Sequence, residues 1–118
     1  MGETEVRGTA DSAPSSADAA AEVKIWSLLQ SVVDPELHYN IVDLGLVYGV
    51  EVKDGAARVR MTLTSAGCPY GPYLVHEVRQ AVKSVERVRS VQVELVWDPP
   101  WGPARMTEDI RLDMGFDV

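Results

Sequence analysis

From Ser16 to Val33 the apolar residues Ile25, Leu28, Leu29 and Val32 recur at i, i+3, i+4 and i+7, the spacing of one helical face, and Val23 and Trp26 widen the stripe. The pattern predicts a first helix that stops at Asp34, because Pro35 disfavours helical angles in the residue before it. The period then changes from helical to alternating. Leu46 to Val52 alternates, Asp54-Gly55 supplies a hairpin turn, and on the return Val59, Met61 and Leu63 alternate with Arg58, Arg60 and Thr62, so two antiparallel strands are expected. Helical spacing resumes after Pro72. Leu74, Val75, Val78, Ala81, Val82 and Val85 make one apolar face, and His76, Arg79, Gln80 and Lys83 lie largely on the other. A third strand, Ser90 to Trp97, is closed by Pro99-Pro100, and a short terminal helix runs from Thr107 as N-cap to about Met114, with Gly115 as its stop. The order α-β-β-α-β-α describes an α+β fold, a two-layer α/β sandwich in which a small mixed sheet carries helices on one face. If the second and third strands are parallel, the helix between them makes a right-handed crossover.

Ahead of the first helix, "MGETEVRGTADSAPSS" offers no apolar period that a core could bury, so residues 1–16 are expected to form a disordered tail and residues 17–118 a single domain. The hydrophobic share of 46% suits one ordinary core in 118 residues. With 18 acidic against 11 basic residues the net charge is -7, which sets the chain as a whole against a phosphate backbone or an anionic lipid surface. Neither nucleic acid nor membrane is therefore expected as a partner. One cysteine cannot close an internal disulfide, and no apolar stretch resembles a signal peptide or a membrane span, which points to a reducing, cytoplasmic setting.

That cysteine, Cys68, stands in "TSAGCPYGP", where a strand pattern gives way to a helix pattern. Unpaired amides at a helix start favour an anion, so the position suits a thiolate that acts as nucleophile or metal ligand; it equally suits an inert residue filling a tight turn. Upstream, Asp34-Pro35-Glu36 follows an extended path that brings two carboxylates to one side, a pair able to share a proton or ligate a metal, or simply a solvated helix-ending turn. His38, in the loop beside that pair, is a candidate ligand, whereas His76 sits on the polar helix face. Asn40 and Asp43 lead into Leu44-Gly45-Leu46, where Gly45 provides an angle a side chain would forbid. In "VWDPPWGPARM" Trp97 and Trp101 flank two prolines, as a lid over the core or the rim of a peptide groove. One thiol per chain falls short of the roughly four protein ligands of an iron–sulfur cluster, so any cluster here is shared or completed by other groups.

In sequence order, "DPELHYNIVDLGLVYGV", "MTLTSAGCPYGP" and "VELVWDPPWGPARMTEDIRLDMG" resemble the iron–sulfur cluster assembly domain family that includes SufT and PaaD, over about residues 23–115. The resemblance implies a small α+β domain with Asp34, Glu36, Thr64 and Cys68 gathered near one surface pocket. It also implies a role in maturing iron–sulfur proteins, with Cys68 as a transient ligand of a cluster or of iron, no permanent cofactor or metal, and the assembly machinery and client apo-proteins as partners. A homodimer meeting at two Cys68 rims would supply a second thiolate. His38 stands where relatives often have glycine, and the cysteine-bearing C-terminal extension typical of PaaD-like proteins is missing from the sequence, which favours a SufT-like assembly factor over an accessory subunit of a multicomponent oxygenase. A cysteine-nucleophile enzyme, with Asp34 or Glu36 as acid–base partner, and a pure interaction module are the competing readings.

Overall fold

The computed structural model describes residues 15–115 apart from Ala66. Nearly all of the tail expected over residues 1–16 lies outside the described residues; of its last two, Ser15 caps the first helix and Ser16 opens it. Helix α1 spans Ser16–Leu29, with the Ser15 hydroxyl accepting from the Asp18 amide at 3.1 Å. It ends four residues before the expected Val33. Gln30, Ser31 and Val32 instead donate to carbonyls three residues back, Ser31 Oγ donates to the Leu28 carbonyl at 2.6 Å, and Val33 leaves the helix path to bridge Asn40. Val32 still packs in the core, but from a tightened turn. The buried stripe is Ala21, Ile25 and Leu29, with Trp26 packed partly against it; Val23, expected to widen it, is 70% exposed.

Strands β1 (Val47–Lys53) and β2 (Ala56–Met61) form the expected antiparallel hairpin. Its turn needs positive φ at both central residues, and Asp54 (51°) and Gly55 (84°) supply it. Register runs Val50 to Val59 and Val52 to Ala57, with a bulge between Val47 and Gly49. On β2 the alternation holds strictly: Ala57, Val59 and Met61 face the core and Ala56, Arg58 and Arg60 face out. Beyond Met61 the alternation fails, and Thr62, expected on the polar side, is buried. The strand has ended there, and the Thr62 amide donates to the Leu46 carbonyl at 2.8 Å, which draws the residue inward.

Helix α2 spans Gly71–Lys83 and buries Leu74, Val78 and Val82, with Val85 just beyond its end. Strand β3, Ser90–Leu95, lies parallel to β2, so the sheet is mixed, in the order β1-β2-β3. It stops two residues short of Trp97, although the Val96 amide still donates to the Met61 carbonyl at 2.9 Å. Helices α1 and α2 cover one face of the sheet, and the other carries the exposed pairs of Arg58 with Glu94 (2.6 Å) and Glu51 (3.6 Å). A single 3₁₀ turn, Pro103–Arg105, precedes α3, Glu108–Asp113, which starts after Thr107 and stops before Gly115 (φ 86°) at the expected positions, although the Thr107 side chain makes no capping hydrogen bond. No helix of the described residues is long and apolar enough to cross a membrane.

The two edges of the sheet are treated differently. At the β1 edge the Val52 amide donates to Glu22 Oε2 and the Asp54 amide to Asp18 Oδ2, each at 2.9 Å, so α1 closes this edge with carboxylates. Among the described residues no strand pairs with the outer edge of β3.

Candidate functional site

Strand β2 ends at Met61, and the chain passes Leu63 and Thr64 into the turn that carries Cys68. The turn is held by its own backbone: the Cys68 amide donates to the Ser65 carbonyl and the Gly71 amide to the Cys68 carbonyl, each at 3.2 Å. Tyr70 is the N-cap of α2 and Pro72 lies in its first turn, so Cys68 sits just before the helix, two residues ahead of the cap. Gly71 packs closely on Leu63: a Cβ there would lie 2.9 Å from Leu63 Cδ1, so that side chain would have to shift. Cys68 is a half-buried free thiol packed partly against the core. It opens into a groove of about 470 Å³ between α2 and the end of β3, whose wall includes Leu63, Val75, His76, Arg79, Leu95 and Trp97.

Of the four residues expected together, Cys68 lines this groove and Asp34, Glu36 and Thr64 do not. Asp34 is buried, 1% exposed, and its Oδ1 accepts from the amides of Glu36 (2.7 Å) and Leu37 (3.0 Å), so the carboxylate organises its own loop. The loop is closed by its backbone, with the Asp34 amide donating to the Tyr39 carbonyl (2.9 Å) and the His38 amide to the Asp34 carbonyl (2.7 Å). Glu36 and His38 are exposed and Thr64 is half-buried. The loop meets the start of α2 through Pro35, which shares a small hollow with Tyr70 and Tyr73. The loop and the start of α2 thus border one hollow. Among the described residues no three His, Cys, Asp or Glu side chains are grouped so as to hold a metal ion.

Two further parts of the site come from the C-terminal segment. Trp101, the lid residue, packs against the core and donates its indole N–H to the Leu44 carbonyl at 2.8 Å, whereas Trp97 is 46% exposed and faces the groove. Tyr48, at the β1 bulge, ties this segment down through its hydroxyl to the Pro99 carbonyl (2.8 Å), with the Arg105 guanidinium 4.2 Å from its ring centre. The sequence reading assigned no role to Tyr48, His76 or Arg79. A signal for the last two was present: Pro72, His76, Arg79 and Lys83 stand at i, i+4, i+7 and i+11, one stripe along the flank of α2.

The family model described as iron–sulfur cluster assembly protein matches residues 22–95. The Fe-S protein maturation auxiliary factor YitW of Bacillus subtilis is 41% identical over 100 residues, covering 84% of this chain and 98% of the relative. The Fe-S protein maturation auxiliary factor SufT of Staphylococcus aureus is 42% identical over 85 residues, covering 71% and 97% respectively. Among solved structures, a domain of unknown function from Bacillus anthracis superposes with a TM-score of 0.78 at 37% identity, covering 86% of this chain and 97% of that one. With three helices, a three-stranded mixed sheet and a cysteine turn between β2 and α2, the chain belongs to the iron–sulfur cluster assembly protein family.

Proposed function

We propose that this chain is an auxiliary factor in the maturation of iron–sulfur proteins, and that Cys68 is the thiol through which cargo, either iron or a nascent cluster, passes to a client. The observation that carries the reading is the setting of Cys68: the one cysteine of the chain stands half-buried on a braced turn at the mouth of a groove, in a family described by cluster assembly. A single thiolate, well short of the roughly four protein ligands that a permanent cluster takes, suits temporary rather than permanent retention of iron. Transfer is ligand exchange. A client thiol takes the iron position that Cys68 Sγ leaves, its proton passes to the departing Cys68 thiolate, and no electron is gained or lost. Asp34 serves by shaping the loop that borders a hollow with Tyr70 and Tyr73, and Glu36 stands exposed beside it for contact with the assembly machinery.

The test is complementation of cells lacking the chain, read as the activity of their iron–sulfur enzymes. Cys68→Ser should fail to restore that activity, while its melting free energy stays within about 1 kcal/mol of wild type, because the side chains are similar in size and the site is only half-buried. Anaerobic incubation with iron and sulfide should give the wild type a substoichiometric, easily chelated absorption that Cys68→Ala lacks. A cluster that persists in Cys68→Ala, or full complementation by Cys68→Ser, would overturn the proposal.

A further inference from the structure

The groove beside Cys68 does not end at α2's first turns. Arg79 lines both it and a second hollow of about 230 Å³ whose remaining wall is Lys83, Arg89, Ser90 and Val91. The two hollows adjoin at Arg79 and together trace a channel along the junction of α2 and β3, apolar near Cys68, Leu95 and Trp97 and cationic at its far end. No carboxylate lines either part among the described residues, although the chain carries a net charge of -7. Exposed charges act mainly within a Debye length of about 8 Å at physiological ionic strength, so a ligand in the channel meets the local cations rather than the net negative charge.

We infer that this channel receives an extended, acidic peptide segment of a client or assembly partner, with carboxylates against Arg79, Lys83 and Arg89 and an apolar side chain between Leu95 and Trp97. Three features fit that occupant. Leu95 and Trp97 are 40% and 46% exposed at the apolar end. Arg79 is held in place by donating to the Val91 carbonyl at 3.3 Å, which fixes a cation at the strand edge before any ligand arrives. The edge of β3 is also the one that α1 leaves open, so a chain of the same extended form can lie along it. The inference rests on the assembly-factor reading for its biological use: a segment seated here registers its parent protein against the Cys68 thiol.

The experiment titrates the full chain into a fluorescein-labelled peptide of alternating glutamate and leucine, with a lysine–leucine peptide and a short single-stranded DNA as counter-probes, all read by anisotropy. The glutamate peptide should bind saturably, more weakly as salt rises, and the lysine peptide and DNA should not compete. Lys83 and Arg89 are exposed, so the double variant Lys83→Glu/Arg89→Glu should stay folded and bind about tenfold more weakly. Trp97→Ala should weaken binding as well, whereas Lys53→Glu, on the open sheet face, should leave it unchanged. Equal binding of the lysine peptide, tighter binding of DNA, or indifference to the double variant would overturn the inference. So would self-association of the chain that depends on Lys83 and Arg89, since a second copy would then be the occupant. Cys68→Ser should bind the peptide normally, which separates the two proposals. Lost peptide binding with intact Cys68-dependent maturation sinks only this inference, and the reverse result sinks only the role of the thiol.

Discussion

His38 holds a φ of 67°, in the left-handed region where a side chain is crowded by its own backbone. Glycine there would escape that crowding at some cost in unfolded-state entropy. His38→Gly should therefore raise stability by about 0.5 to 1 kcal/mol in denaturant melts; a loss would mean that the exposed imidazole makes a compensating contact. Gly45 is the opposite case. Its φ is 76°, and a Cβ there would stand 2.2 Å from the Arg105 carbonyl oxygen, in backbone that cannot rotate aside. Gly45→Ala should cost at least about 1 to 3 kcal/mol from the left-handed angle alone, and more from the displaced 3₁₀ turn. A melt within experimental error of wild type would contradict this geometry. The angle at Gly45 was legible in the sequence as a glycine between two leucines, but its second constraint was not, because Arg105 is sixty residues away along the chain.

At the scale of elements, α1 does more than bury a stripe. Asp18 is 2% exposed and its two oxygens serve different elements: Oδ2 accepts from the Asp54 amide at 2.9 Å and Oδ1 from Arg87 Nε at 3.0 Å. The Asp54 amide first, then Arg87 and Ser15, hold its carboxyl down to about 2 from an ordinary 3.8, against the upward push of burial. Its folded value lies below the unfolded one, so the stabilisation it gives is complete above pH 3.8 and is lost as the pH falls through about 2. Thermal midpoints followed from neutral pH down to about 2 should show that loss in wild type, and Asp18→Asn, which cannot ionise, should lack that segment of the acid response. Parallel curves for the two proteins would rule the linkage out. Nothing in the hydropathy of "SADAAAEV" marks Asp18 as a buried residue; its place beside the hairpin turn and Arg87 is a product of packing.

Across the whole molecule, core and site are separable. Leu29 is fully buried at the end of α1, within the core cluster and outside the wall of the Cys68 groove. Leu29→Ala should cost about 2 to 5 kcal/mol through the cavity it leaves, while the folded fraction still reacts at Cys68 with one equivalent of alkylating reagent. A thiol that lost its reactivity in the folded variant would tie the groove to the core. The sequence by itself determined the kind and order of the elements, the hairpin turn, the start and stop of α3 and the place of Cys68 between β2 and α2, because helical and strand periods, positive-φ turns and proline stops are written in residues close together in the chain. Only the tertiary structure decided which of them meet. It buried Asp34 as the organiser of its own loop, kept Glu36 out of the groove, drew Thr62 inward, and set Arg79, Lys83, Arg89 and Trp97 along one channel from Cys68. Those neighbours lie on separate elements, and what joins them is the register of β2 with β3 and the seat of α2 across the sheet, which are settled by how the whole core packs.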